Sequence, residues 1–79
     1  MEKIYKITWL DAVGEDTGWI DRETVKKEVL VPVHTVGFLV SEKEDCITLG
    51  MSYEPTNDNI AAYLTIPKLL IVKIDELMV

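Results

Sequence analysis

One cysteine and one histidine are all that the 79 residues offer to disulfides, soft metals and thiol or imidazole chemistry. Cys46 alone cannot form an intrachain disulfide. With His34 as the only imidazole, a Cys/His zinc site cannot be assembled within one chain. Basic residues are also scarce, eight against fourteen acids, for a net charge of −6. A sequence-independent binder of phosphate backbones needs a Lys/Arg surface, so nucleic acid is disfavoured as a partner. An acidic surface is likewise repelled by anionic membranes. No apolar run reaches the ~20 residues of a membrane span. The most apolar segment, IPKLLIVKIDELMV, is interrupted by Lys68, Lys73 and Asp75. The opening MEKIYKITWLDA has no apolar signal-peptide core, so a reduced, cytoplasmic setting is expected. No phosphate-cradling glycine loop, G-x-S-x-G or H-E-x-x-H is present, so no enzyme and no cofactor is expected.

What the sequence does have is apolar content and alternation. The apolar fraction is 48%, high for one small domain that can bury only a limited core. Without disulfide or metal, packing and self-association are the remaining sources of stability, and a homo-oligomer is expected. The stretch Val33–Tyr53 is the clearest element. An apolar run, the acidic turn SEKED, and a strictly alternating run read as a β-hairpin. In its second arm Ile47, Leu49, Met51 and Tyr53 share one face. Residues 3–10 alternate Tyr5, Ile7 and Trp9 against Lys6 and Thr8, which predicts a first strand. Residues 29–41 are apolar on both parities, which predicts either burial on two sides or a bent strand shared by two halves of a barrel. Pro32 cannot donate to a ladder and belongs at an edge, and Gly37 permits a bend or a close crossing of backbones. EPTNDN at 54–59 is a loop, and 60–66 is a further strand ended by Pro67. PKLL has the length of one 3₁₀ turn before a last strand, IVKIDEL. Asp21 is a candidate cap for a short helix over Arg22–Glu28, with Val25 and Val29 facing the core; an extended loop is the alternative.

Five short strands and one long loop predict a mainly β fold, a small five-stranded antiparallel barrel in a single domain, 1–79. The order of WLDA, a GW loop, HTVGFLVSEKEDCITL and YLTIPKLLIVKIDEL resembles a group of small bacteriophage and prophage proteins. The pattern G-x-L-x-x-E-x-x-D-x-I-x-L at Gly37–Leu49 and the I-P-K-x-x-I ending are similar to Sm-like or SH3-like barrels. That resemblance implies a 3₁₀ turn between the last two strands at Pro67–Leu70 and, as in many Sm proteins, rings. It also implies RNA binding by basic and aromatic loops, which the acidity of this chain opposes.

Candidate site residues are few. Trp9, Asp11, Gly18 and Trp19 bracket the long loop, where two indoles and a carboxylate would stack a planar ring such as a nucleobase. The competing reading makes Trp9 core and Trp19 a staple over an open barrel end. Asn57 and Asn59 in the 54–59 loop and Lys68 beside Pro67 complete the set, with Lys68 reaching an anionic ligand or lying free on the surface. Asp11, Glu15, Asp16 and Asp21 have no EF-hand spacing and read as a solvated acidic loop. Glu42, Glu44 and Asp45 read as a charged hairpin tip, and His34 with Cys46 lacks an orienting third group for catalysis. Two functions are expected from these features. One is a phage-type binding module that sequesters a small nucleotide-like host signalling molecule as an anti-defence protein. The other is a protein–protein module that inhibits or adapts a host or virion protein through an acidic surface and an exposed sheet edge. Either site is expected where the 11–28 and 54–59 loops meet the sheet, or across a subunit boundary, and not on the hairpin.

Overall fold

Alternation in the sequence becomes a single antiparallel sheet in the computed structural model, which describes residues 2–12, 14 and 18–78. The strands are β1 (Ile4–Asp11), β2 (Val31–Glu42), β3 (Cys46–Glu54), β4 (Asn59–Pro67) and β5 (Ile71–Leu77). Between β1 and β2 lies one four-residue helix, α1 (Arg22–Val25), and a 3₁₀ turn at Lys68–Leu70 joins β4 to β5. The sheet order is β4-β3-β2-β1-β5. β4 and β5 are therefore the two edges, with no pairing to each other, so the sheet is open and not a closed barrel.

The core sets the sheet's shape. Ile7 on β1, Ile47 and Leu49 on β3 and Ile66 on β4 are buried together, with Tyr5, Trp9, Leu39 and Ile71 packed against them. β1 and β4 are separated by two strands in the sheet, so they share a core only because the sheet curls strongly. β2 carries the curl. Its first half pairs with β1, from Val31 opposite Asp11 to Phe38 opposite Ile4. Its pairing with β3 starts at Phe38 opposite Gly50 and slips by one residue at Val40, a bulge that adds twist. Pro32 sits in the part of β2 that has a partner on one side only, where a missing donor is tolerated. Gly37 is the bend: a Cβ there would lie 2.6 Å from the Gly50 carbonyl oxygen, a backbone atom that cannot swing away.

Local polar pairs fix the register. Trp9 Nε1 donates to Thr35 Oγ1 at 3.0 Å across β1 and β2, and the hydroxyls of Thr48 and Thr65 meet at 2.8 Å across β3 and β4. Both edges are irregular. In β5 the register against β1 shifts at Val72. In β4 Ala62 has φ 59°, the left-handed region, and its position opposite Met51 makes no ladder pair.

The segment between β1 and β2 departs from expectation. Asp21 does cap the helix, accepting from Thr24 N at 3.1 Å and from Thr24 Oγ1 at 2.8 Å. The helix stops at Val25, however, and buries no residue. Val25 is 51% and Val29 74% exposed, so neither faces the core. The physical reason is length: one turn anchored only by its cap offers no second turn to dock on the sheet. The result is an arm whose described residues are all exposed, in a molecule that measures 53 × 24 × 23 Å. Its radius of gyration is 16.2 Å, against about 12 Å for a compact chain of this length.

Candidate functional site

The residues singled out by sequence fall in separate places. Trp9 is committed to the sheet by its bond to Thr35 and its packing on the core. Asp11, at the end of β1, turns its carboxylate onto Ala12 N at 2.8 Å. Gly18 and Trp19 lie in the arm, and the Trp19 side chain is fully exposed. It neither stacks with Trp9 nor staples the arm to the sheet, so no two-indole pocket forms within the chain. Asn57 is held in the β3–β4 turn by Glu54: its backbone N–H donates to Oε2 at 3.2 Å and its Nδ2 to Oε1 at 3.1 Å. Partial desolvation works to raise the Glu54 pKa, but the donors from Thr56 and Asn57 outweigh it and hold it below the usual glutamate value. Asn59 pairs with Glu54 in the ladder. Lys68 is at the 3₁₀ turn and belongs to a different neighbourhood altogether.

That neighbourhood is the hairpin tip. Lys68 Nζ reaches Glu42 Oε2 at 2.9 Å, and its backbone N–H donates to the Asp45 carbonyl at 2.8 Å. Lys43 N–H closes the tip by donating to the Cys46 carbonyl at 2.8 Å. The tip and the 3₁₀ turn are thereby tied together, and between them lies an open groove of about 740 Å³ lined by Lys43, Glu44, Asp45, Pro67, Lys68 and Leu69. Its lining combines a proline ring, lysine stems and an exposed leucine with charges of both signs. The hairpin was the element least expected to carry a site. The two motifs that resemble small barrels, Glu42 to Asp45 and Ile66-Pro67-Lys68, are the segments that meet here, but neither by itself signals a groove.

The other chemical candidates are dispersed. His34 Nδ1 lies 2.9 Å from Thr8 Oγ1 in the middle of the β1–β2 ladder, whereas Cys46 opens β3 opposite Pro67. Partial burial, and then the neighbouring Asp45, push the Cys46 thiol above its ordinary pKa, which keeps it protonated and a weak nucleophile. Among the described residues no group of three or more His, Cys, Asp or Glu side chains is placed to hold a metal. Asp11 and Asp21 are spent on local caps, and Glu15 and Asp16 lie outside the described residues. No described helix is long and apolar enough to cross a membrane.

The chain matches no protein-family model, no curated protein and no solved structure in comparisons with each.

What remains most prominent is uncovered apolar surface. Among the described residues only four large side chains are fully buried, whereas Trp19, Val29, Leu30, Tyr63, Leu69 and Val72 are among sixteen large hydrophobic residues that are exposed. Leu64 and Ile74 show on the two edge strands.

Proposed function

We propose that this chain is a non-enzymatic, phage-type protein–protein interaction module that works in the bacterial cytoplasm as a homo-oligomer and inhibits or adapts a host or virion protein. The observation that carries this reading is surface area. The chain exposes 6404 Å², roughly 1,500 Å² more than the ~4,900 Å² of a monomeric protein of 9.0 kDa. Sixteen large hydrophobic side chains are exposed among the described residues, more than a monomer usually leaves uncovered, and a stable partner removes about 800 Å² from each side of an interface. In this reading the open, curled sheet is an Sm-like, SH3-like barrel short of closure. The acidic balance then selects basic or mixed-charge protein surfaces.

Light scattering across the micromolar range tests the reading, together with thermal shift against a panel of nucleotides. The expected result is a mass above the monomer and no nucleotide-dependent shift. A monomer at every concentration would sink the proposal. A specific nucleotide shift would transfer the function to sequestration of a small signalling molecule, with Trp19 as a lid contributed across a subunit boundary.

A further inference from the structure

We infer that copies of this chain assemble head to tail, with Trp19 on the arm of one copy seated in the Lys43–Leu69 groove of the next. This rests on the self-association just proposed and specifies how it is made.

Three observations on different parts of the molecule converge on that contact. The first is where the unmatched surfaces lie. The arm is rooted at the paired residues Asp11 and Val31, where β2 begins. The groove is built on the tip that follows the last residue of β2, Glu42. Knob and hole therefore sit beyond opposite ends of a twelve-residue strand, and Trp19 does not occupy its own groove, since its side chain touches nothing. A surface and its complement at two ends of one subunit define a heterologous contact, which closes into a ring or runs on as an open string.

The second observation is chemical fit. The groove offers about 740 Å³ over Pro67, the stems of Lys43 and Lys68 and the fully exposed Leu69. An indole is a flat apolar plate that stacks on proline and on cationic stems. The rim supplies Glu44 and Asp45, and three of the eight basic residues of the chain, Arg22, Lys26 and Lys27, lie within eight positions of Trp19. Lys26 is already paired with Glu23 at 3.1 Å. Arg22 and Lys27 have no ion-pair partner among the described residues, and neither do Lys43, Glu44 and Asp45 at the groove, so both surfaces carry charges left to pair, although acids outnumber bases around Trp19.

The third observation concerns the alternative contact, strand addition along β4 or β5. Each edge is broken near its middle or start, at Ala62 in β4 and at Val72 in β5. An incoming strand would meet a short regular run on each side of the break, which weakens a continuous ladder.

The test uses the full chain and two surface variants, Trp19→Ala and Leu69→Asp. Both side chains are exposed, so both variants should fold as the wild type does, checked by far-UV circular dichroism and urea unfolding. Light scattering should show the wild type above the monomer mass. Each variant should be monomeric at the same concentration, with the dissociation constant raised at least ~30-fold, as for an aromatic hot spot. An equimolar mixture of the two variants should form a dimer and nothing larger, because each mixed pair has one intact arm and one intact groove. Wild-type assembly that survives Trp19→Ala would overturn the inference while leaving the self-association reading standing. A mixture that stays monomeric would overturn it as well, by showing that the contact is not head to tail. A wild type that is monomeric throughout would remove both.

Discussion

The sheet and the arm both carry large apolar residues, and those residues have opposite fates. In the sheet, alternation puts Ile7, Ile47, Leu49 and Ile66 on one face, and a curled sheet folds that face onto itself. In the arm the apolar residues Trp19, Ile20, Val25, Val29 and Leu30 follow neither a period of two nor a sustained period of 3.6, stand among eight charged residues in 12–30, and all are exposed. The difference teaches that apolar residues are buried here only where a regular period gathers them on one face. Stability should then reside in the sheet, and association in the arm.

The strongest way to break that division is to cut the core. Ile47→Ala removes a fully buried branched side chain from a cluster of four, and should cost about 2–5 kcal/mol in urea unfolding, enough to unfold much of so small a domain. If the loss is under ~1 kcal/mol, the core does not hold the fold. A subtler probe sets two backbone positions of the sheet against each other. Gly37→Ala drives a methyl to within 2.6 Å of the Gly50 carbonyl and should cost about 1–3 kcal/mol. Ala62→Gly relieves a left-handed alanine at φ 59° and should gain roughly 0.5–1 kcal/mol. Equal signs for the two would contradict the curl as described. The smallest effect belongs to the arm. Hydrogen bonds from the Thr24 side chain and backbone hold the Asp21 carboxyl below its ordinary value. Its folded pKa being the lower one, the cap's contribution is present above the unfolded aspartate pKa and fades as pH falls through the folded value. Protection of the Thr24 and Val25 amides, relative to their intrinsic exchange rates at each pH, should therefore fall in that acidic window and not above it, with protection of the sheet amides unaffected. Sheet amides that moved in step would show that the arm is coupled to the core after all.

Much of the sheet could be read in advance because its strands are local patterns. Residues 3–10, 46–53 and 60–66 alternate cleanly, and each becomes a strand within a residue or two at either end. Pro67 and PKLL mark the 3₁₀ turn for the same reason: a proline cannot donate to a ladder, and here it is the last residue of β4. Gly37 was legible as a place where backbones cross, although which backbone it meets, that of Gly50, is a tertiary fact. The helix was overextended to Glu28 because Val25 and Val29 have helical spacing; spacing says which residues share a face, not whether anything lies opposite that face. The groove was the least visible feature. It needs Lys43–Asp45 and Pro67–Leu69 side by side, segments more than twenty residues apart, brought together by a lysine that looked like an isolated surface charge. Barrel closure failed as an expectation because strand count fixes how many edges must be managed, not how.

Ala62 shows how they are managed. An edge strand with one backbone turned out of register cannot act as a uniform template, because every copy laid against it would have to repeat the same left-handed residue. The left-handed backbone at Ala62 works against edge-to-edge growth of that kind. Relieving it by Ala62→Gly would yield a chain that is firmer as a fold, yet better able to accept a straight neighbour and so more prone to cross-β growth on long storage.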